Sequence, residues 1–304
     1  MKNIKKIFKA ICHPSYALRV LFNMHWFCRL FPEKSFLKIK YRLNMGKKLN
    51  LKTPQTFNEK LQWLKLYNRK PEMTMMADKY AVREYIKNTI GEEYLIPLIN
   101  VWDRVEEIDF DSLPEQFVLK CTHNSGLGMC ICKDKSILDI KKVKKALKKG
   151  MREKYFYTGR EWCYKNIKPR IIAEEYMEES NGELCDYKFL CFNGQVRSCF
   201  TCTDRFSGEG LKVTFFDNEW NRLPFERHYK QDKNKIDKPV NFEKMKELAT
   251  KLSSELLFVR VDFYEVNGKI YFGELTFFPG SGMEEFSPEE WDYTLGSWIK
   301  LPQK

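Results

Sequence analysis

Two Asn-Gly dipeptides, Asn193-Gly194 and Asn267-Gly268, each stand between two runs of residues that are rich in β-branched and aromatic side chains. Asn-Gly between such runs is the strongest short-range signal for a β-hairpin, because both residues tolerate the positive φ of a two-residue turn. The pattern predicts hairpins over residues 186–203 and 259–277. The C-terminal half should therefore contain an antiparallel sheet.

Helices and further strands are predicted around these hairpins. Thr56, with Glu59 three residues later, predicts a capping box at the start of a helix. Helices are predicted over 57–67, 78–91, 136–150 and 241–257, and further strands over 94–102, 117–122, 129–132, 170–177 and 212–216. Pro97 suggests that the strand over 94–102 lies at a sheet edge.

The net charge of +12 is concentrated at one end of the chain. Residues 1–50 hold 12 of the 53 basic side chains but only one of the 41 acidic ones, Glu33. The rest of the chain is nearly neutral, which argues against a uniformly basic nucleic-acid-binding protein. We therefore expect no nucleic-acid partner.

The basic segment has an amphipathic pattern. Ile4, Ile7, Phe8 and Ile11 share one helical face, and the lysines of this segment occupy the other. Such a helix favours contact with an anionic membrane surface, which we expect to involve residues 1–31. The alternative is a helix pair that packs on the body with its lysines in solvent.

Membrane-spanning and secreted proteins are not indicated. No run of 18 apolar residues occurs, and the N-terminus lacks an apolar core followed by a small-residue cleavage site. Ten scattered cysteines are typical of free thiols in a reducing compartment rather than of a disulfide framework or a zinc site. The predicted location is cytoplasmic, with peripheral contact at the inner membrane face.

The hairpin over 259–277 carries acidic residues on neighbouring strands. Asp262 lies on its first arm and Glu274 on its second, and strict alternation puts Phe272, Glu274 and Thr276 on one face. If both acids project from the same face of the sheet, they form a carboxylate pair able to hold Mg²⁺, with Arg260 available to an anionic reactant. The alternative is a surface hairpin with salt-bridged acids.

A glycine-rich turn follows the strand that ends near Lys120. Ser125-Gly126-Leu127-Gly128 lies between two predicted strands, and its backbone amides could cover phosphates. It is not a Walker loop, because no Gly-Lys-Ser/Thr follows. A plain hairpin explains the same residues.

The order of these segments resembles the ATP-grasp superfamily of carboxylate–amine ligases. RVDF (residues 260–263) and GELTFFPGSG (273–282) are similar to the metal segment of D-alanine–D-alanine ligases. More narrowly, FNEKLQWLKLY, FVLKCTHNSG, DYKFLCFNG and ELTFFPGSG resemble the TupA-like ATP-grasp group, over roughly residues 50–304. The chain departs from the superfamily pattern at Thr276, where an Asn is usual.

The resemblance implies an ATP-grasp fold of two α+β subdomains that grip ATP, behind a basic amphipathic helical leader. The implied units are a leader (1–50), an N-terminal α/β unit (51–115), a small subdomain with the glycine-rich lid (116–175) and a large subdomain with the metal site (176–304). ATP and Mg²⁺ are the implied cofactors.

The implied site has three parts. Asp262, Glu274 and Thr276 would hold Mg²⁺, and Arg260 and Lys120 would be catalytic. The nucleotide would be bound by Lys79, Lys120, Ser125, Gly126, Gly128, Glu174, Glu175, Met177, Asp186, Lys188 and Lys212.

The implied reaction is ATP-dependent ligation of a carboxylate to an amine through an acyl phosphate. By analogy with the group, the substrates would be a small-molecule or glycan carboxylate, such as a uronic acid, and an amino acid or amine of bacterial surface-polysaccharide synthesis. Three alternatives remain: a glycosyltransferase using Asp109-Phe110-Asp111, an ATP-grasp kinase, and a non-catalytic membrane-associated binding protein.

Overall fold

The computed structural model describes residues 18, 20–22, 24–178, 185–204 and 210–302. The amphipathic segment over residues 2–11, for which a membrane-surface helix is predicted, lies outside the described residues. Within the described ranges, every helix is too short or too polar to cross a membrane.

Five helices precede the first strand of the described chain. The helices are α1 (His25–Cys28), α2 (Glu33–Met45), α3 (Phe57–Tyr67), α4 (Glu72–Ala77), α5 (Val82–Thr89), α6 (Ile140–Met151), α7 (Phe156–Gly159), α8 (Phe242–Ser253) and α9 (Glu290–Trp298). The strands are β1 (Leu98–Trp102), β2 (Phe117–Cys121), β3 (Cys130–Cys132), β4 (Ile171–Glu175), β5 (Asp186–Phe192), β6 (Gln195–Thr203), β7 (Lys212–Phe216), β8 (Glu226–Arg227), β9 (Phe258–Val266), β10 (Lys269–Thr276) and β11 (Phe286–Ser287).

Most of the predicted elements are confirmed, and their ends shift by a few residues. Both Asn-Gly hairpins form, and Asn193 and Asn267 have positive φ as the turns require. Helix α5 begins at Val82 rather than near Asp78, and α4 and α7 were not predicted. These two helices are six and four residues long, too short for an apolar period to be read from their sequences.

The strands form two main antiparallel sheets. The four-stranded sheet has the order β1-β4-β2-β3, so β1 is an edge strand as Pro97 suggested. The five-stranded sheet has the order β10-β9-β5-β6-β7, and β8 and β11 form a separate two-stranded ribbon. Strand β1 comes from the predicted 51–115 unit but pairs with β4 of the predicted small subdomain.

Each main sheet has its own hydrophobic core. Helix α6 covers the four-stranded sheet with Val143 and Leu147, which pack with Phe117 and Leu119. Ile140, which the helical period also predicts to be inward, is 37% exposed, because it is the first residue of the helix. The larger core lies on the five-stranded sheet and takes in α2, α3 and α8.

The described part of the leader packs on the body. Phe22, Cys28, Phe36 and Leu37 are almost completely buried in the larger core. For the described residues between 22 and 45, this packing corresponds to the alternative interpretation of the leader, except that Lys40 is buried rather than in solvent. Trp26 nevertheless remains 64% exposed beside this buried stripe.

The capping box at the start of α3 is confirmed. The Thr56 hydroxyl accepts the Glu59 N–H at 3.2 Å, and the Glu59 carboxylate accepts the Thr56 N–H. Asn58, in the first turn of this helix, also anchors α9, because its side-chain Nδ2 donates to Asp292 Oδ2 at 3.0 Å. Helix α3 therefore ties the C-terminal helix to the core beside the closing hairpin.

Candidate active site

A row of side chains crosses one face of the five-stranded sheet. In the strand registers Glu274 of β10 pairs with Asp262 of β9, Asp262 with Lys188 of β5, Lys188 with Phe200 of β6, and Phe200 with Phe215 of β7. Directly paired residues of antiparallel strands project from the same face. The sheet therefore presents two acids, a lysine and two aromatic rings in order.

A β-bulge at Gly273 creates the first pair of this row. Phe272 pairs with Phe263, but two residues later Glu274 pairs with Asp262, so one residue of β10 is extra. Strict alternation, which put Phe272 and Glu274 on one face, is therefore wrong at this point. Gly273 suits the bulge because a Cβ there would lie 3.1 Å from the Asp262 carbonyl oxygen.

The Arg260 guanidinium joins the two acids. Its Nε donates to Asp262 Oδ1 at 2.7 Å, and its Nη2 donates to Glu274 Oε1 at 2.6 Å. The Thr276 hydroxyl donates to the same Glu274 oxygen at 3.0 Å. Burial alone would raise the pKa of Glu274, but Arg260, Lys79 and Lys188 outweigh it and lower that pKa to about 2.

Lys188 extends the network on the sheet. Its ammonium donates to Asp262 Oδ2 at 2.7 Å and lies 2.9 Å from Asp186 Oδ2. Burial by itself would lower the pKa of Lys188, but the two carboxylates raise it above its ordinary value. This lysine is therefore a permanent positive charge beside the paired acids.

The four-stranded sheet places a second charged group opposite the first. Lys120 Nζ donates to Glu174 Oε2 at 2.7 Å, and Arg83 Nη1 approaches Glu174 Oε1 at 3.4 Å. Burial works to lower the pKa of Lys120, yet Glu174 raises it above its ordinary value. Lys79 donates to the Asn124 carbonyl oxygen at the start of the glycine-rich turn, and burial lowers its pKa.

A cavity of about 200 Å³ lies between these two groups. Both apolar and charged side chains line it, a combination that suits a ligand with an aromatic ring and anionic groups. The apolar lining includes Leu95, Ile96, Met129 and Phe272, and the polar lining includes Lys79, Arg83, Lys120, Asn124, Glu174, Asp186, Lys188, Asp262, Tyr264 and Glu274.

The cavity gathers most of the predicted site residues. Arg260 and Thr276 bind the carboxylate of Glu274 at its edge. Those that line it are Lys79, Lys120, Gly126, Glu174, Asp186, Lys188, Asp262 and Glu274.

Five predicted nucleotide-binding residues do not line this cavity: Ser125, Gly128, Glu175, Met177 and Lys212. Glu175 pairs with Phe117 while Glu174 pairs with Val118, so the two acids project from opposite faces of β4, and Glu175 lines a different, open groove. Lys212 binds Asp204 at 2.6 Å. Gly128 packs closely on Gly150, because a Cβ added at Gly128 would lie 3.1 Å from the Gly150 Cα.

Three of the polar side chains named above as lining the cavity were not predicted: Arg83, Asn124 and Tyr264. Arg83 follows Lys79 by four residues, and Tyr264 follows Asp262 by two, so helical and strand periods could have indicated them. Asn124 lies in a turn without a period. No local signal identifies it.

The other candidate motifs lie away from the cavity. Asp109 Oδ1 accepts the Asp111 N–H at 3.0 Å inside an exposed turn, so the Asp109-Phe110-Asp111 motif forms a local turn there. The cysteines of the described ranges are all free thiols. In the same ranges, His, Cys, Asp and Glu side chains do not gather in threes as a metal cluster.

Comparison with known proteins identifies the family. The family described as TupA-like ATPgrasp matches residues 59–300. No curated protein sequence matches the chain.

Solved structures resemble the chain only remotely. A D-alanine–D-alanine ligase from Bacillus anthracis in complex with ATP shares 15% identity over 66% of this chain and 53% of its own, with a TM-score of 0.40. The corresponding enzyme from Helicobacter pylori shares 16% identity over 81% of this chain and 69% of its own, with a TM-score of 0.44. The ATP-grasp ligase PsnB in complex with a minimal precursor shares 10% identity over 72% of this chain and 58% of its own, with a TM-score of 0.40. The chain thus spans about half the length of the first of these ligases.

Proposed function

The chain belongs to the TupA-like ATP-grasp family, and from that premise we propose that it is an ATP-dependent carboxylate–amine ligase. One observation carries the proposal: two adjacent carboxylates, Asp262 and Glu274, face Lys120 and Lys79 across a single cavity. Paired acids with surrounding lysines are what a metal–triphosphate group requires. The apolar lining beside Glu174 and Ile96 would take the adenine.

The residues present fit Mg²⁺. Asp262 and Glu274 are neighbouring oxygen donors, Thr276 adds a hydroxyl, and the low pKa of Glu274 keeps its carboxylate ionised. Mg²⁺ binds in proteins through one or two carboxylates together with substrate phosphates and water. When bound, it supplies charge neutralisation for the phosphate oxygens.

Three lysines and Arg260 stabilise the negative charges of the reactants. Lys79, Lys120 and Lys188 neutralise phosphate oxygens, so that the acid substrate can approach the γ-phosphate. Arg260 donates to both Asp262 and Glu274. Its guanidinium stabilises the oxyanion that forms at the acyl carbon.

The reaction proceeds in two balanced steps. A carboxylate oxygen of the acid forms a bond to the γ-phosphorus as the bond to the bridging oxygen of ADP breaks. The amine nitrogen then forms a bond to the acyl carbon, the acyl carbon–oxygen bond breaks, and phosphate leaves. The proton lost by the amine passes to water.

The acid is proposed to be a uronic acid and the amine an amino acid or amine, in the synthesis of bacterial surface polysaccharide. This assignment is supported by the resemblance of residues 50–304 to the TupA-like group. The division into a leader, an N-terminal unit and two subdomains that grip ATP is likewise part of the proposal. The two main sheets on either side of the cavity support it.

Peripheral attachment to the inner face of the membrane is also proposed. Trp26 is 64% exposed and Leu30 is 68% exposed, beside the basic residues of the leader. Exposed aromatic and aliphatic side chains with nearby positive charge favour an anionic lipid surface. Replacement of Trp26 and Leu30 by Ala should reduce co-sedimentation with vesicles of phosphatidylglycerol, and undiminished co-sedimentation would argue against attachment through these residues.

The ligase assignment is tested by ADP release. Purified protein with ATP and Mg²⁺ should release ADP only when both a uronic acid and an amine are supplied. Release that needs the acid alone and yields a stable phosphorylated product would indicate a kinase. Hydrolysis of a nucleotide sugar with no ATP requirement would indicate a glycosyltransferase.

A further inference from the structure

A buried arginine lies beside the active-site row and is not used by the proposed mechanism. The row runs from Lys188 to Phe200 and Phe215, and the Cζ atom of Arg227 lies 5.5 Å from the Phe200 ring centroid and 5.6 Å from that of Phe215. The Cζ atom of Arg260 lies 5.9 Å from the same Phe200 ring. The two guanidinium groups thus share an aromatic side chain on the catalytic face.

Arg227 has more hydrogen-bonding capacity than its surroundings use. Only 7% of the residue is exposed, and its Nε lies 2.9 Å from Glu284 Oε2. Its Nη1 is buried and has no hydrogen-bond partner in the part of the chain that the structure describes. Buried guanidinium nitrogens are normally paired, because leaving such a donor unsatisfied is costly. A donor left over beside an active site is suited to a ligand.

The backbone holds both members of this ion pair in place. Arg227 pairs with Phe286 in the β8–β11 ribbon, and the neighbouring His228 N–H donates to the Glu285 carbonyl oxygen at 3.1 Å. Glu284 packs against Gly280, where a Cβ would collide with its carboxyl group. The arginine is therefore preorganised, which lowers the entropy lost when it binds a ligand.

The charge around Arg227 favours an anion. Burial lowers the pKa of its guanidinium, Glu284 raises it, and Arg260 lowers it again. A side chain whose ordinary pKa exceeds 12 remains a cation near neutral pH. Glu284, with 22% of its side chain exposed, is the one carboxylate paired with it among the described residues.

We propose that Arg227 binds a second anionic group of the acid substrate, while Arg260 faces the carboxylate that is phosphorylated, and that Glu284 competes with this group in the free enzyme. The inference rests on the proposed ligase function and narrows its substrate to a dianionic acid. The second group is a phosphate or a second carboxylate, since a guanidinium fork binds either in the same bidentate way. No bond is made or broken at Arg227.

Calorimetric titration of the full chain with Mg²⁺ and a non-hydrolysable ATP analogue tests the proposal. The probes are D-glucuronic acid with one anionic group, D-glucuronic acid 1-phosphate, and D-glucaric acid with two carboxylates. At least one of the two dianionic probes should bind tenfold or more tightly than D-glucuronic acid, and the better one identifies the second group. Equal affinity for all three probes would overturn the proposal.

Three variants separate substrate binding from a purely structural ion pair. Arg227→Gln should reduce the preference for the dianionic probe to less than twofold, and Arg227→Lys should retain part of it. Glu284→Gln should tighten binding of that probe severalfold, because the competing carboxylate is removed. A structural pair predicts that both Gln variants weaken binding, so weaker binding by folded Glu284→Gln, or a preference unchanged in folded Arg227→Gln, would refute the role.

The result of the binding titration does not depend on whether the enzyme turns over. If ADP release never depends on an amine, the ligase function fails, whereas an Arg227-dependent preference in the titration would still stand. If ADP release depends on acid and amine but the preference is absent, the ligase function stands and the subsite fails.

Discussion

Glu274 lies directly across from Asp262 on neighbouring strands, and the Arg260 guanidinium donates to both carboxylates. This pairing depends on the single extra residue at Gly273, without which Glu274 would project from the opposite face. The paired acids therefore depend on a bulge in β10. Arg260 binds both acids, and Lys188 binds Asp262, before any ligand is present.

The first prediction concerns Asp262. Asp262→Asn should lower ADP release by about 10²–10³-fold, because the variant loses one of the two carboxylates that are proposed to hold Mg²⁺. ADP release at saturating ATP and Mg²⁺ measures the effect. Asp109→Asn is the matched control, since its carboxylate caps an exposed turn, and it should keep full activity. Undiminished ligation by Asp262→Asn would contradict the proposed metal site.

The second prediction separates two adjacent acids. Glu174→Gln should weaken ATP binding about tenfold, because Lys120 and Arg83 lose the carboxylate that orients them, and a charge-assisted hydrogen bond is worth about 1.5–3 kcal/mol. Glu175→Gln, on the other face of β4, should change the dissociation constant less than about twofold. Fluorescence titration with an ATP analogue measures both. Equal effects would show that the nucleotide does not contact this face.

The third prediction concerns acid stability. The folded-state pKa of Glu274 is about 2, below its ordinary value of 4.5, so the unfolded chain binds more protons between these values. The stabilisation from this group is therefore complete above about pH 4.5 and is lost as the pH falls toward 2. Urea unfolding over this range should show a steeper loss for the natural chain than for Glu274→Gln.

Arg260→Gln provides the control for that titration. Arg260 contributes most to lowering the pKa of Glu274, so in this background the pKa should rise toward its ordinary value. The difference in slope that the Glu274→Gln substitution causes should then shrink. A difference that is the same with and without Arg260 would contradict the assigned cause.

The fourth prediction concerns the capping box of α3. Thr56→Ala should lower the free energy of unfolding by about 1 kcal/mol, because the Glu59 N–H loses its side-chain acceptor. Thr250→Ala in the exposed part of α8 is the matched control, since its hydroxyl only donates to the Lys246 carbonyl oxygen within the helix. It should leave stability unchanged or slightly raised. Equal losses in urea unfolding would argue that the cap is not specific.

Local patterns were sufficient for most of the secondary structure. The Asn193-Gly194 and Asn267-Gly268 turns and the Thr56 cap depend on residues within about four positions of each other, and all three form as predicted. The same locality explains the limits of these patterns. Helix α4 is too short to show a period, and the bulge at Gly273 interrupts one.

The sequence predicted which residues belong to the candidate site better than it predicted how they are arranged. Lys79, Lys120, Asp186, Lys188, Asp262 and Glu274 all line the cavity. The choice between Glu174 and Glu175 depends on the register of β4 against β2, and a shift of one residue would exchange them. Arg227, on a two-residue strand, carries no pattern that could have drawn attention to it.

The hairpins, the capped helices, the position of the excess positive charge and the residue types of the site all follow from the amino-acid sequence. Each depends on the conformational preferences of a few neighbouring residues or on composition. The tertiary structure was needed to establish that two sheets line one cavity, that Glu174 rather than Glu175 faces it, and that Arg227 and Arg260 both approach the ring of Phe200. Those outcomes depend on strand registers and core packing, in which residues far apart in the chain are brought together because many long-range contacts form at once.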